Sequence, residues 1–250
     1  MLYNHHCRTN RKELYPLMIY VTGDMHGSIT RFDDKRISKL GKGDYLIVCG
    51  DFGFIWDGSR REEKALTFLS RLKFTLLFVD GCHENFDRLY KYPVTEWNGG
   101  RVRRIRPNLY HLCRGQVFDI EGNKIFAMGG GCSDDIELRQ QRGTKWWPEE
   151  TPSTEEMAEA VDNLFNCNLN VDYIITHDCP TKVKDLLSDD PCNFNAMTAF
   201  FDEMSRQVTY KHWFFGCVHR DRHLSSAHTA LFEEIVPLEV PRTAFHVPKK

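Results

Sequence analysis

Six short apolar runs punctuate the chain, and each ends in a cluster that mixes Gly with Asp, His or Cys. Met18–Thr22 runs into Gly23-Asp24-Met25-His26-Gly27, and Tyr45–Cys49 into Gly50-Asp51. Thr75–Val79 leads to Asp80-Gly81-Cys82-His83-Glu84-Asn85, and Lys124–Met128 to three glycines. Tyr173–Thr176 precedes His177-Asp178-Cys179-Pro180, and His212–Phe215 precedes Gly216-Cys217-Val218-His219. Runs this short, rich in Ile, Val, Phe and Tyr and without polar alternation, predict strands buried on both faces.

Helical patterns lie between them. Arg60–Leu72 places Ala65, Leu66, Leu69 and Leu72 on one stripe. Ser153-Thr154-Glu155-Glu156 has the capping-box spacing and predicts a helix to about Phe165. Asn195–Met204 is a third helix. Asn98–Ile120 reads as shorter strands or loops. Strands alternating with helices, with polar clusters at the strand ends, predict a layered α/β domain whose site lies along one sheet edge. Its expected extent is residues 18–240, with residues 1–17 an N-terminal extension and 241–250 a tail.

Composition narrows the function classes. With 250 residues, 41% of them hydrophobic, the chain can bury a large core. A formal net charge of -2 argues against a general polyanion binder. No apolar run approaches the ~20 residues of a membrane helix, and the first 17 residues lack a secretory apolar segment. A soluble, cytoplasmic protein is expected. The nine cysteines are odd in number and widely spread, which suits reduced thiols or metal thiolates better than a disulfide framework.

Metal chemistry follows from the strand-end clusters. Asp24 and His26 are two residues apart and can chelate one ion across a turn, while Asp51, His83, His177 and His219 close or follow four other strands. Carboxylates mixed with imidazoles suit Zn, Fe or Mn. A single Asp after a strand is more often a turn former or helix cap. Five such clusters in one chain outweigh that reading.

In this order the clusters resemble the calcineurin-like metallophosphoesterase family, whose motifs are G-D-x-H-G, G-D-x-x-D, G-N-H-[DE], a His after a strand, and G-H-x-H. The resemblance implies two stacked β-sheets flanked by helices, with two metal ions at the strand ends. Metal one would be held by Asp24, His26 and His219, and Asp51 would bridge. Metal two would add Cys82, His177 and Cys217. The implied chemistry is in-line attack on phosphorus by a metal-bound hydroxide. His83 would be the catalytic group, contacting the phosphoryl oxygens or protonating the leaving alkoxide. The alternative is a His that only hydrogen-bonds around the ligands.

Three positions depart from the family pattern. Phe54 stands at the second Asp of G-D-x-x-D, with Asp57 nearby. Cys82 replaces the Asn of G-N-H-[DE], and Cys217 replaces the first His of G-H-x-H. At this chain's cysteine frequency, both becoming cysteine by chance is on the order of 10⁻³, so exchange for two thiolates is expected rather than decay. Thiolate favours Zn or Fe over Mg, Ca and Mn, and unlike ions, Zn and Fe, are the expected pair, with Mn less favoured.

Asn85 and Arg88, together with Arg139 and Arg142, are candidate phosphate contacts. The segment from Gly129 to Pro148, with Trp146 and Trp147, is either a substrate lid or a surface loop packed by its tryptophans. The expected activity is a phosphomonoesterase acting on a phosphorylated small molecule or phosphoprotein. A phosphodiesterase or nuclease on the same ions, and a non-catalytic interaction module, are the alternatives.

Overall fold

The computed structural model describes residues 17–133, 136–143, 145–187 and 195–239. The proposed tail 241–250 and all but residue 17 of the proposed extension lie outside the described residues, as do Asp134 and Asp135.

Each of the six apolar runs forms a strand: β1 (Ile19–Thr22), β2 (Tyr45–Val48), β3 (Thr75–Phe78), β8 (Asn123–Met128), β9 (Tyr173–Thr176) and β10 (His212–Phe215). The stretch 98–120 contains β5 (Gly100–Arg106), β6 (Leu109–Leu112) and β7 (Gln116–Ile120), and β4 (Val94–Trp97) precedes it. Three short strands lie near the end of the described chain: β11 (Arg222–His223), β12 (His228–Ala230) and β13 (Ile235–Pro237), the last within the apolar stretch Ile235–Leu238.

The strands build two mixed sheets. One has seven strands in the order β13-β1-β2-β3-β6-β5-β4, the other six in the order β11-β12-β10-β9-β8-β7. β1, β2 and β3 are mutually parallel, as are β8, β9 and β10. All the Gly, Asp, His and Cys clusters therefore leave their sheets at the carboxyl ends of parallel strands.

Burial on both faces explains the continuous apolar runs. In β2 and β3, Ile47 and Leu77 face the six-stranded sheet and join Ile125, Ile175 and Phe214 in the core between the sheets. Their neighbours Leu46, Val48, Leu76 and Phe78 face outward and meet Leu66 and Leu69 of α1 (Arg60–Leu69). On the other side Phe126, Ile174, Trp213 and Phe215 pack beneath Leu164 of α4 (Thr154–Asn166) and Met197 and Phe201 of α6 (Ala196–Gln207). Ser153 caps α4 through the capping box expected from its sequence, and Asn195 caps α6 in the same way. Among the described residues no helix is long and apolar enough to cross a membrane.

One buried histidine makes this packing sensitive to acid. The Nδ1–H of His212 donates to the Ser226 carbonyl at 3.1 Å, and its Nε2 lies 2.8 Å from Thr229 Oγ1. Burial pushes its pKa from 6.5 down to about 4, against the pull of the Ser226 carbonyl. Between those values the unfolded chain holds a proton that the folded chain lacks. Stability should therefore fall as the pH drops from about 6.5 to about 4, with this group contributing up to ~1.4 kcal/mol per pH unit. Urea melts of the His212→Gln variant should show a shallower slope across that window. An unchanged slope would remove His212 as the cause.

Candidate metal centre

The loops after β1, β2, β3, β9 and β10 converge at the carboxyl ends of the parallel strands of the two stacked sheets. Asp24, His26, Asp51 and His219 bring one ligand atom each within 4.8 Å of one another, and Asp51, Cys82 and His83 form a second such group. Asp51 belongs to both, as a bridging carboxylate must. Ligand atoms around one ion at ~2.1 Å stand roughly 3–3.5 Å apart. His219 Nε2 is 3.1 Å from Asp24 Oδ2 and 3.1 Å from His26 Nε2. His177 Nε2 lies 3.6 Å from Cys82 Sγ and 3.7 Å from Asp51 Oδ1.

Local backbone makes this convergence possible at a cost. His26, Asp51 and His219 adopt φ of 46°, 42° and 48°, in the left-handed region that costs a non-glycine residue ~1–3 kcal/mol. The turn is held by the amides of Met25 and His26, which donate to the Asp51 carbonyl at 3.1 and 2.8 Å. The motif glycines have a different task, close approach. A Cβ on Gly81 would sit 2.1 Å from Asp51 Oδ1, and one on Gly216 would sit 2.1 Å from Asp24 Oδ1.

The donor set fits a cation. Both oxygens of Asp24 are buried and receive no aligned hydrogen bond. A buried carboxylate is expensive unless nearby positive charge answers it. Burial works against the charge on Asp24 and Asp51, but His177 and the surrounding imidazoles outweigh it and hold both carboxyls below their usual range. His177 donates Nδ1–H to the Cys49 carbonyl at 3.1 Å, which leaves Nε2 as its ligand atom. Burial also opposes the Cys82 thiolate, yet hydrogen bonds with His177 and His83 pull its pKa down, favouring the metal-binding form.

The family model of the calcineurin-like phosphoesterases matches residues 17–204. The chain belongs to the calcineurin-like phosphoesterase family. That family comprises dinuclear metal-dependent phosphoester hydrolases, and its sandwich of two sheets flanked by helices is the fold described above. Comparison with curated proteins gives no significant match.

Cys217 is not brought to the cluster. Its φ is 55°, and its thiol donates to Asp178 Oδ1 at 3.5 Å. A hydrogen bond with Cys179, then burial and the Asp178 charge, raise its pKa well above the usual value. Lys184 binds the other oxygen of Asp178 at 3.0 Å.

The arginines expected at phosphate are mostly committed elsewhere. Arg88 pairs with buried Glu62 at 3.2 Å. Asn85 caps α2 (Phe86–Leu89) and donates to the Trp56 carbonyl. Arg139 is buried against Glu150 (2.8 Å) and Ser133 (3.1 Å), in α3 (Ile136–Gln141), whereas Arg142 just beyond α3 is exposed. Trp147 is buried, so this part of the Gly129–Pro148 segment packs on the protein. The sequence reading missed the wall of the cleft next to the cluster. That cleft of about 400 Å³ is lined by His26 and His83 together with Phe54, Trp56 and Arg61. Its signal was present in the run Phe52–Trp56 directly after Gly50-Asp51, where an apolar stretch continues past a strand end.

The glycine contacts yield a test. Gly81→Ala and Gly216→Ala each force a carboxylate aside and should lower metal affinity at least ~10-fold, the usual scale for disturbing the support of a ligand. Elemental analysis after dialysis against graded chelator measures it. Retention equal to the parent protein would show that the carboxylates are not ligands.

Proposed function

We propose that the protein is a phosphomonoesterase whose ions are held by Asp24, His26, Asp51 and His219 on one side and Asp51, Cys82 and His177 on the other. The observation that carries this reading is the shared carboxylate. Asp51 contributes to both groups of converging ligand atoms, the second of which also contains His83, and its Oδ1 lies 3.7 Å from His177 Nε2, while the buried oxygens of Asp24 mark where positive charge belongs. When bound, the ions supply Lewis-acid polarisation of the phosphoryl group and acidify water.

The chain's own residues divide the remaining work. Asp51 accepts from the His83 amide at 2.7 Å and lies 2.8 Å from His83 Nδ1, so it positions that ring. Hydrogen bonds to Asp51 and Cys82 raise the His83 pKa to about 10 and keep the ring protonated near neutral pH. With Nδ1 engaged, the other ring nitrogen is the one left for substrate in the cleft. There it can hold a proton against a phosphoryl oxygen or deliver it to the leaving alkoxide. The compact cleft and the absence of excess positive charge favour a small monoester over a nucleic-acid backbone.

Two expectations follow. Protein loaded with Zn or Fe should hydrolyse an aryl phosphate faster than the matching diester. His83→Ala should keep its metal and lose ~10²–10⁴-fold in turnover, less for good leaving groups. Faster diester cleavage would overturn the monoesterase reading, and loss of an ion would make His83 a ligand.

The cysteines give a third expectation. A single thiolate, Cys82, is proposed at the second ion. X-ray absorption on zinc-loaded protein should show sulfur near ~2.3 Å that Cys82→Ser abolishes and Cys217→Ser preserves. Loss of that signal in Cys217→Ser would restore Cys217 to the ligand set.

A further inference from the structure

The cleft beside the cluster has a second wall that the hydrolytic chemistry does not use. Trp56 stands in it with 44% of its surface exposed. Its backbone is held from both sides, its N–H donating to Glu62 Oε2 at 2.8 Å and its carbonyl accepting from Asn85. Its ring rests edge-on against buried Trp147, with centroids 5.8 Å apart and planes at 71°. An indole fixed in this way offers a flat surface at little further entropic cost.

Charge in the wall is equally specific. Glu62 spends one oxygen on the amides of Trp56, Asp57 and Gly58 and the other on Arg88. Asp57 accepts from the Ser59 amide at 2.8 Å. Arg61, in the first turn of α1, is exposed and makes no hydrogen bond or ion pair among the described residues. It is the unpaired cation of a cleft that also contains His26, His83 and the Asp57 carboxylate.

We propose that this wall selects the alcohol portion of the substrate: a small phosphate monoester carrying a planar ring that stacks on Trp56 and a second anionic group that pairs with Arg61. The inference rests on the phosphomonoesterase reading and adds the substrate class. Ring stacking and a guanidinium–anion pair are each worth roughly tenfold or more in binding.

Three probes separate the contributions: glycerol phosphate with neither feature, phenyl phosphate with the ring, and 4-carboxyphenyl phosphate with both. Trp56→Ala should raise KM for the two aryl esters at least ~10-fold more than for glycerol phosphate. Arg61→Gln should raise KM for the carboxylated ester ~10-fold more than for phenyl phosphate, with Arg61→Lys recovering part of the loss. Comparing each substrate with itself across variants cancels its leaving-group reactivity. Calorimetric binding of the non-hydrolysable 4-carboxyphenyl phosphonate reads the same wall without turnover. If no probe is hydrolysed but phosphonate binding still depends on Trp56 and Arg61, the wall stands and the phosphomonoesterase reading falls. Equal effects of either variant on all probes, together with phosphonate binding indifferent to both residues, would overturn the proposal.

Discussion

Two carboxylates buried side by side set the terms for everything around them. Asp24 and Asp51 are 1% exposed, and like charges in such a place repel and lose hydration. The surrounding protein answers with four imidazoles, from His26, His83, His177 and His219, and with backbone bent into left-handed turns. Glycines stand wherever a Cβ would have touched a carboxylate. None of these features helps a plain sandwich to fold, and several work against it. They make sense as a cradle for cations, with strain at the site offset by the packed sheets beneath it.

The framework was legible because burial on both faces writes itself into sequence as unbroken apolar runs. All six runs became strands, and the polar clusters ending them came together. The lesser strands were harder to read. β11 to β13 are two or three residues long, too short for a period to show, and are aligned by pairing, with β13 antiparallel to β1. Side-chain commitment was harder still. Arg88 and Arg139 have the chemistry of phosphate ligands, but each has a buried glutamate as partner, from Glu62 and Glu150. Those glutamates lie 26 and 11 residues away, and nothing in one dimension announces the pairing.

The two unusual cysteines show how strongly surroundings decide chemistry. Cys82 sits between two imidazoles that favour its thiolate, whereas Cys217 faces a carboxylate and another thiol that favour the protonated form. Motif arithmetic treats them as equivalent replacements. Electrostatics does not. A third acid–base network reinforces the same loop: fully buried Asp80, two residues before Cys82, accepts from His111 at 2.8 Å and Arg114 Nε at 2.9 Å. It ties the β3 end to β6 and to the turn after β6, so the ligand-bearing segment is anchored from below.

The ligands are also divided between the sheets. Asp24, His26, Asp51 and Cys82 leave the seven-stranded sheet, and His177 and His219 leave the six-stranded one. Asp24 and His219 touch across 195 positions of sequence. During synthesis the first half of the centre is therefore made long before the second, and an ion meeting the growing chain finds only one wall of its eventual cage. Closure of that distance must come from the stacking of the sheets themselves. A complete ligand set therefore exists only once the two sheets have come together.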